Sequence, residues 1–190
     1  MKPVLVIDNY DSFVYNIVHM IRAITGIDPV VKRNDAITVD EAAAFDRILL
    51  SPGPGIPEEA GVMPQIVRDL GPSKQILGVC LGHQCIGEVY GGRLTNMVEV
   101  CHGRGIATDI LDSDELLFQG VPSPTVTGRY HSWMVSREGL PECLRITATD
   151  GEGRIMALRH TEFDVRGVQF HPESVLTADG TRMMQNWLGS

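Results

Sequence analysis

The sequence predicts an α/β protein built on an open, mostly parallel sheet flanked by helices, with antiparallel strands added in the C-terminal half. Three observations carry this expectation. Short apolar runs alternate with helix-period segments through the first half of the chain. The connections between them are tight, which favours right-handed crossovers and a sheet covered on both faces. Past the middle the pattern changes to a hairpin, one more strand and a closing helix.

Taken in order, Val4-Leu5-Val6-Ile7, closed by Asp8, reads as a strand buried on both faces. Phe13, Val14, Ile17, Val18, Ile21 and Ile24 then recur at helical spacing, with Asp11 and Ser12 as candidate N-terminal caps. Val30-Val31 is a second strand, Thr38 to Phe45 a second helix, and Ile48-Leu49-Leu50 a third strand that runs into the turn SPGPGIP. Val62 to Leu70 is helical, Ile76 to Val79 is a fourth strand, and Gly82 to Tyr90 is a further helix. In LRITATDGEGRIMALRH two strands flank a glycine-containing turn, the mark of a β-hairpin. VRGVQF is the last strand, and Thr181 to Leu188 the closing helix.

A chain of 190 residues is most simply one domain, here 1–190, large enough to bury a core without disulfides or metals. A net charge of −8 and the absence of any Lys/Arg run argue against a nucleic-acid surface. The N-terminal apolar run is too short for a signal-peptide core, and nothing reaches membrane-spanning length. Four cysteines without an export signal are expected to be reduced thiols in a cytoplasm.

Chemistry in an open α/β sheet belongs at the carboxyl ends of the strands. Four segments fall there by this assignment: DNYDS, SPGPG, Cys80 and HPES. Cys80 lies in Gly78-Val79-Cys80-Leu81-Gly82, a Gly-x-Cys-x-Gly turn between strand and helix, the form of a nucleophile elbow. A helix N-terminus favours the thiolate, the reactive form. The Leu81 N–H is then placed to meet an oxyanion. Cys85 shares a helical face with Ile86, Val89 and Tyr90 and is read as core. His83 and Gln84, at i+3 and i+4 from Cys80, could each reach the same pocket. A metal site on Cys80, His83 and Cys85 lacks a second ligand pair, since Cys101-His102 stands isolated.

A cysteine nucleophile needs a base, and the base an orienting acceptor. VQFHPES supplies both: in an extended chain His171 and Glu173 project to one side. His131, in RYHSW, is a further pocket candidate. In SPGPG the alternating Gly and Pro fix backbone amides where a substrate approaches closely. Pro54 has no N–H, so a donor must be Gly53 or Gly55. The loop is not a phosphate loop, because the Gly-Lys-Ser/Thr ending is missing.

SPGPG, GVCLGHQ and FHPES, in this order, resemble the class I (triad) glutamine amidotransferase family over essentially the whole chain. Within it, DNYDSF, KRNDA, RYHS and GVQFHPESVLT are most similar to the small subunits of anthranilate synthase and aminodeoxychorismate synthase, with the former favoured; the rival readings are another Cys–His hydrolase on the same fold and a non-catalytic binding module. The resemblance implies a flavodoxin-like glutaminase, with Cys80 as nucleophile, His171 as base and Glu173 as its orienter. It implies an oxyanion hole from the Gly53 and Leu81 amides. Glutamine would be held by Gly53, Pro54, Gly55, Gln84 and the backbone of Ser132 and Trp133. The partner it implies is a chorismate-using synthase subunit, with no metal or cofactor on this chain and magnesium only on that partner. Cys85 stands where such sequences often have alanine and Val14 where they often have threonine, and neither touches the mechanism.

Overall fold

The computed structural model describes residues 2–97 and 102–189. Cys101 lies outside the described residues. The strands are β1 (Leu5–Asp8), β2 (Val30–Arg33), β3 (Arg47–Leu50), β4 (Gln75–Val79), β5 (Leu94–Asn96), β6 (Arg104–Ile110), β7 (Thr125–Arg129), β8 (Trp133–Val135), β9 (Leu144–Asp150), β10 (Ile155–His160) and β11 (Val165–Val168). The helices are α1 (Val14–Thr25), α2 (Val39–Ala42), α3 (Met63–Leu70), α4 (Leu81–Val89) and α5 (Gly180–Gly189).

Nine strands form one sheet in the order β2-β1-β3-β4-β11-β10-β9-β6-β7. From β2 to β11 neighbouring strands run parallel, and from β11 to β7 they run antiparallel. The expected fold class is therefore the observed one. Both faces of the parallel half are buried. Val4, Val6, Leu49, Leu77 and Val79 pack with Val14, Ile17 and Ile21 of α1 and Met183 and Trp187 of α5. The alternate residues Leu5, Ile7, Ile48, Leu50 and Ile76 pack with Ile66 and Val67 of α3 and Ile86 of α4. Burial on both sides explains why these strands read as unbroken apolar runs.

Several boundaries depart from the sequence reading. The second helix is only Val39–Ala42, opened by a capping box in which Glu41 N donates to Thr38 Oγ1 (3.2 Å) and Thr38 N to Glu41 Oε2 (2.8 Å). It closes early because Phe45 N bonds to Ala42 O, three residues back, tightening the last turn. Neither Asp11 nor Ser12 caps α1. The cap position is Phe13, and Asp11 instead accepts from the Phe13 N–H at 3.2 Å. The last strand ends at Val168, not at Phe170.

The sequence reading placed no element between Tyr90 and Leu144, where the structure has β5 to β8. β6 and β7 bury polar side chains rather than apolar ones. Thr108 Oγ1 and Thr127 Oγ1 meet at 2.7 Å, and the fully buried Arg129 donates to Asp150 at 2.7 Å. β5 and β8 form a separate two-stranded ribbon. Among the described helices none is long and apolar enough to cross a membrane.

Candidate active site

Cys80 joins β4 to α4 with φ 52° and ψ −99°, a left-handed backbone that a side chain adopts only under constraint. The constraint is close packing of the elbow. A Cβ on Gly78 would lie 2.4 Å from the Gly82 carbonyl carbon, and one on Gly82 would lie 2.5 Å from the Leu50 oxygen. Only glycine on both sides lets helix, turn and strand approach so closely. Cys80 N donates to Val168 O at 2.8 Å, fastening the elbow to β11.

Cys80 opens on a pocket of about 190 Å³ lined by Gly53, Pro54, Gly55, Gln84, Tyr130, His131, Ser132 and Trp133. Every residue expected to hold substrate is therefore on its wall, and His131 with them. Leu81 heads α4, and its side chain abuts Gly53. A Cβ on Gly53 would sit 2.9 Å from Leu81 Cδ2 and 2.5 Å from Asn9 Cβ. Asn9, at the end of β1, pins this turn: its N–H donates to Ser51 Oγ (2.9 Å) and its Nδ2 to Ser51 O (2.8 Å). The DNYDS segment thus supports the SPGPG loop. Ser132 and Trp133 come from the small ribbon, where Met97 N donates to Ser132 O at 2.7 Å.

His171 and Glu173 meet as expected, with Nδ1 and Oε1 2.7 Å apart and both residues buried. The route is not an extended chain, however. His171 to Ser174 is a turn closed by Ser174 N donating to His171 O at 3.2 Å. Thr177 braces it, donating from Oγ1 to His171 O (2.6 Å) and accepting from Gly128 N (2.9 Å). Phe13 and Tyr130 flank the imidazole edge-on, with ring centroids 5.6 and 5.0 Å away. Burial by itself would discharge this imidazolium. The Cys80 sulfur and the Glu173 carboxylate outweigh burial and push its pKa up to about 10. With Nδ1 committed to Glu173, Nε2 is the nitrogen left free for Cys80.

Of the other candidates near the elbow, Cys85 is wholly buried, and burial drives its thiol up, as expected for core. His83 does not reach the pocket. It is fully buried against Gly167 of β11, and desolvation pushes it down to about 3, so it stays neutral. His131 is likewise held neutral, pushed down to about 4 chiefly by burial, with Nδ1 3.0 Å from Trp133 O. Among the described residues no three His, Cys, Asp or Glu side chains converge as a metal site.

The sequence reading missed Gln169, which is fully buried and places Nε2 3.6 Å from Cys80 Sγ. It also missed Phe13 and Tyr130. For Gln169 a signal existed: it is the polar residue in the run Val168-Gln169-Phe170, two before His171.

A strained cysteine elbow thus faces a pocket, with a buried His–Glu pair behind it, at the carboxyl ends of the strands of an α/β sheet. The chain belongs to the glutamine amidotransferase class-I family, whose model matches residues 5–189. It is 47% identical to the bifunctional protein TrpGD of Thermotoga maritima over 99% of this chain, and spans 32% of that protein's length. It is 43% identical to the aminodeoxychorismate/anthranilate synthase component 2 of Bacillus subtilis, covering 97% of this chain and 95% of that one. Among solved structures, a candidate GMP synthase subunit of Thermoplasma acidophilum matches with a TM-score of 0.88 at 24% identity, over 100% of this chain and 93% of the other, a likeness of fold.

Proposed function

We propose that the chain hydrolyses L-glutamine to glutamate and ammonia through a Cys80 thioester and supplies the ammonia to a chorismate-using synthase subunit that makes anthranilate. The observation that carries the chemistry is a strained, pocket-facing Cys80 beside a buried His171–Glu173 pair. The Cys80 thiolate attacks the side-chain amide carbon, forming a C–S bond while the carbonyl electron pair moves onto oxygen. The Gly53 and Leu81 N–H groups face that oxyanion, and losing either donor costs about 3 kcal/mol of barrier. The C–N bond then breaks as His171 Nε2–H gives its proton to the departing nitrogen. Ammonia leaves, and the now neutral His171 takes a proton from water, whose oxygen attacks the thioester. Collapse of the second oxyanion breaks the C–S bond, releases glutamate and restores the thiolate–imidazolium pair. Glu173 keeps Nδ1 protonated throughout and stabilises the charge on the ring.

Gly53, Pro54, Gly55, Gln84, Ser132 and Trp133 form the glutamine wall in this reading. No metal or cofactor takes part on this chain, and magnesium belongs to the synthase partner. The setting is cytoplasmic, in keeping with the free thiols of Cys80, Cys85 and Cys143. A second product, aminodeoxychorismate on the route to folate, is favoured by the double name of the Bacillus subtilis relative. The glutaminase chemistry is common to both.

A glutamine-mimicking electrophile tests the site: with the synthase partner present it labels Cys80 and not Cys85, mapped by peptide mass spectrometry. Labelling only at Cys85, or at no cysteine, overturns the reading. Capture of the synthase partner, followed by assay of chorismate conversion, decides the product.

A further inference from the structure

One buried amide chain links the nucleophile to the far wall of the pocket, and its polarity is dictated from one end. The Trp133 carbonyl can only accept. Gln84 Nε2 therefore faces it, donating at 2.8 Å. The same Nε2 lies 3.3 Å from Gln169 Oε1, to which its other N–H donates. With its oxygen so occupied, Gln169 has only its Nε2 to turn toward Cys80 Sγ, at 3.6 Å. His131 reinforces the origin of the chain: Nδ1 also meets the Trp133 carbonyl, at 3.0 Å, and so must carry a proton. Gln84 and Gln169 are 3% and 0% exposed, so water does not compete for these bonds.

From this geometry we propose that Gln169 is a positioning residue, which donates a hydrogen bond to the Cys80 sulfur and thereby holds it as thiolate, aimed at the pocket. The proposal rests on the reading of Cys80 as nucleophile. An N–H donor favours the anionic acceptor over the thiol, because a charged acceptor makes the stronger bond. Gln169 follows the β11 residue whose carbonyl accepts the Cys80 N–H, so the same strand fixes both the backbone and the sulfur of the elbow. Gln84 then has two duties. It lines the substrate pocket, and it orients the Gln169 amide.

The test is the pH dependence of Cys80 alkylation by iodoacetamide, followed by peptide mass spectrometry on the intact chain. Gln169→Met is compared with Gln169→Glu, which keeps the shape and replaces the donor by an acceptor, and with Gln84→Leu, which removes the orienting partner from another element. In Gln169→Met the acid limb of the alkylation rate moves to higher pH by about one unit, a tenfold loss of rate on that limb. Gln169→Glu moves it further, and Gln84→Leu moves it part of the way. In the two Gln169 variants kcat for glutamine hydrolysis falls in the same order, with KM changed less. Unshifted limbs in those variants that fold, with the parent chain still labelled at Cys80, overturn the role of Gln169 and leave the nucleophile in place. Failure of the parent chain to label at Cys80 overturns the underlying reading instead. A variant that loses activity with an unmoved acid limb assigns Gln169 to packing alone and also overturns the proposal.

Discussion

Two buried histidines lie close to the Cys80 elbow and behave in opposite ways. His83, in α4, is fully buried against Gly167, and desolvation pushes its pKa down to about 3. His171, in the turn after β11, is 2% exposed, yet it is pushed up to about 10. Burial opposes charge in both. The difference is the Glu173 carboxylate 2.7 Å from Nδ1 and the Cys80 sulfur beside the ring, neither of which His83 has. An acidic partner, not proximity to Cys80 in sequence, separates the two histidines.

The largest test of that contrast removes its sulfur. Cys80→Ser abolishes glutamine-dependent synthesis, while added ammonium salt still supports the partner; loss of both activities would mark Cys80 as structural. Glu173→Gln comes next, because it makes the surroundings of His171 resemble those of His83. We expect kcat to fall by roughly 10²- to 10⁴-fold, with the imidazolium titrating lower in the pH–rate profile. Retained activity with an unshifted profile would mean that Glu173 does not orient the base.

Gly53→Ala has a smaller effect. Its Cβ would press on Asn9 Cβ at 2.5 Å, displacing the turn and with it the proposed Gly53 oxyanion donor, for roughly 10²- to 10³-fold in kcat with KM less affected. The smallest effect is on stability, and the two histidines pull it in opposite directions. Between pH 6.5 and about 3 the unfolded chain binds a proton that folded His83 refuses, so stability falls as pH falls, by about 1.4 kcal/mol per pH unit at most. The raised His171 contributes stability that is fully present below pH 6.5 and is lost as pH rises through about 10. Urea unfolding of His83→Leu at pH 7 and pH 5 checks the first arm: the acid loss should shrink by about one proton's worth.

The parallel half of the fold was legible because both of its faces are apolar. Leu5 to Ile7 and Ile48 to Leu50 have nowhere polar to point. β6 and β7 were not legible for the opposite reason. Their inward positions hold Thr108, Thr127 and Arg129, which hydrogen-bond to one another, to Ala107 O and to Asp150. A threonine pair and a buried ion pair look like surface until the partners are seen. At the site, Cys80 was legible because its flanking glycines record a close approach in one short stretch. The His171–Glu173 pair was found by spacing, although the chain delivers it through a turn. Phe13 and Tyr130 reach His171 from distant parts of the chain, and no local pattern marks such a contact; Gln169 had only its polarity beside two apolar neighbours.

The pairing of β11 with β4 brings distant parts of the chain together at Cys80. Val168 lies in register with Val79, so Gln169 and His171 extend from the strand beside the one that ends in Cys80. That neighbour arrives about ninety residues later in the chain. The residues that follow β11 bring Gln169 Nε2 to 3.6 Å from the Cys80 sulfur and set His171 beside it. The surroundings of Cys80 are therefore complete only where β11 lies between β4 and β10 and joins the two halves of the sheet.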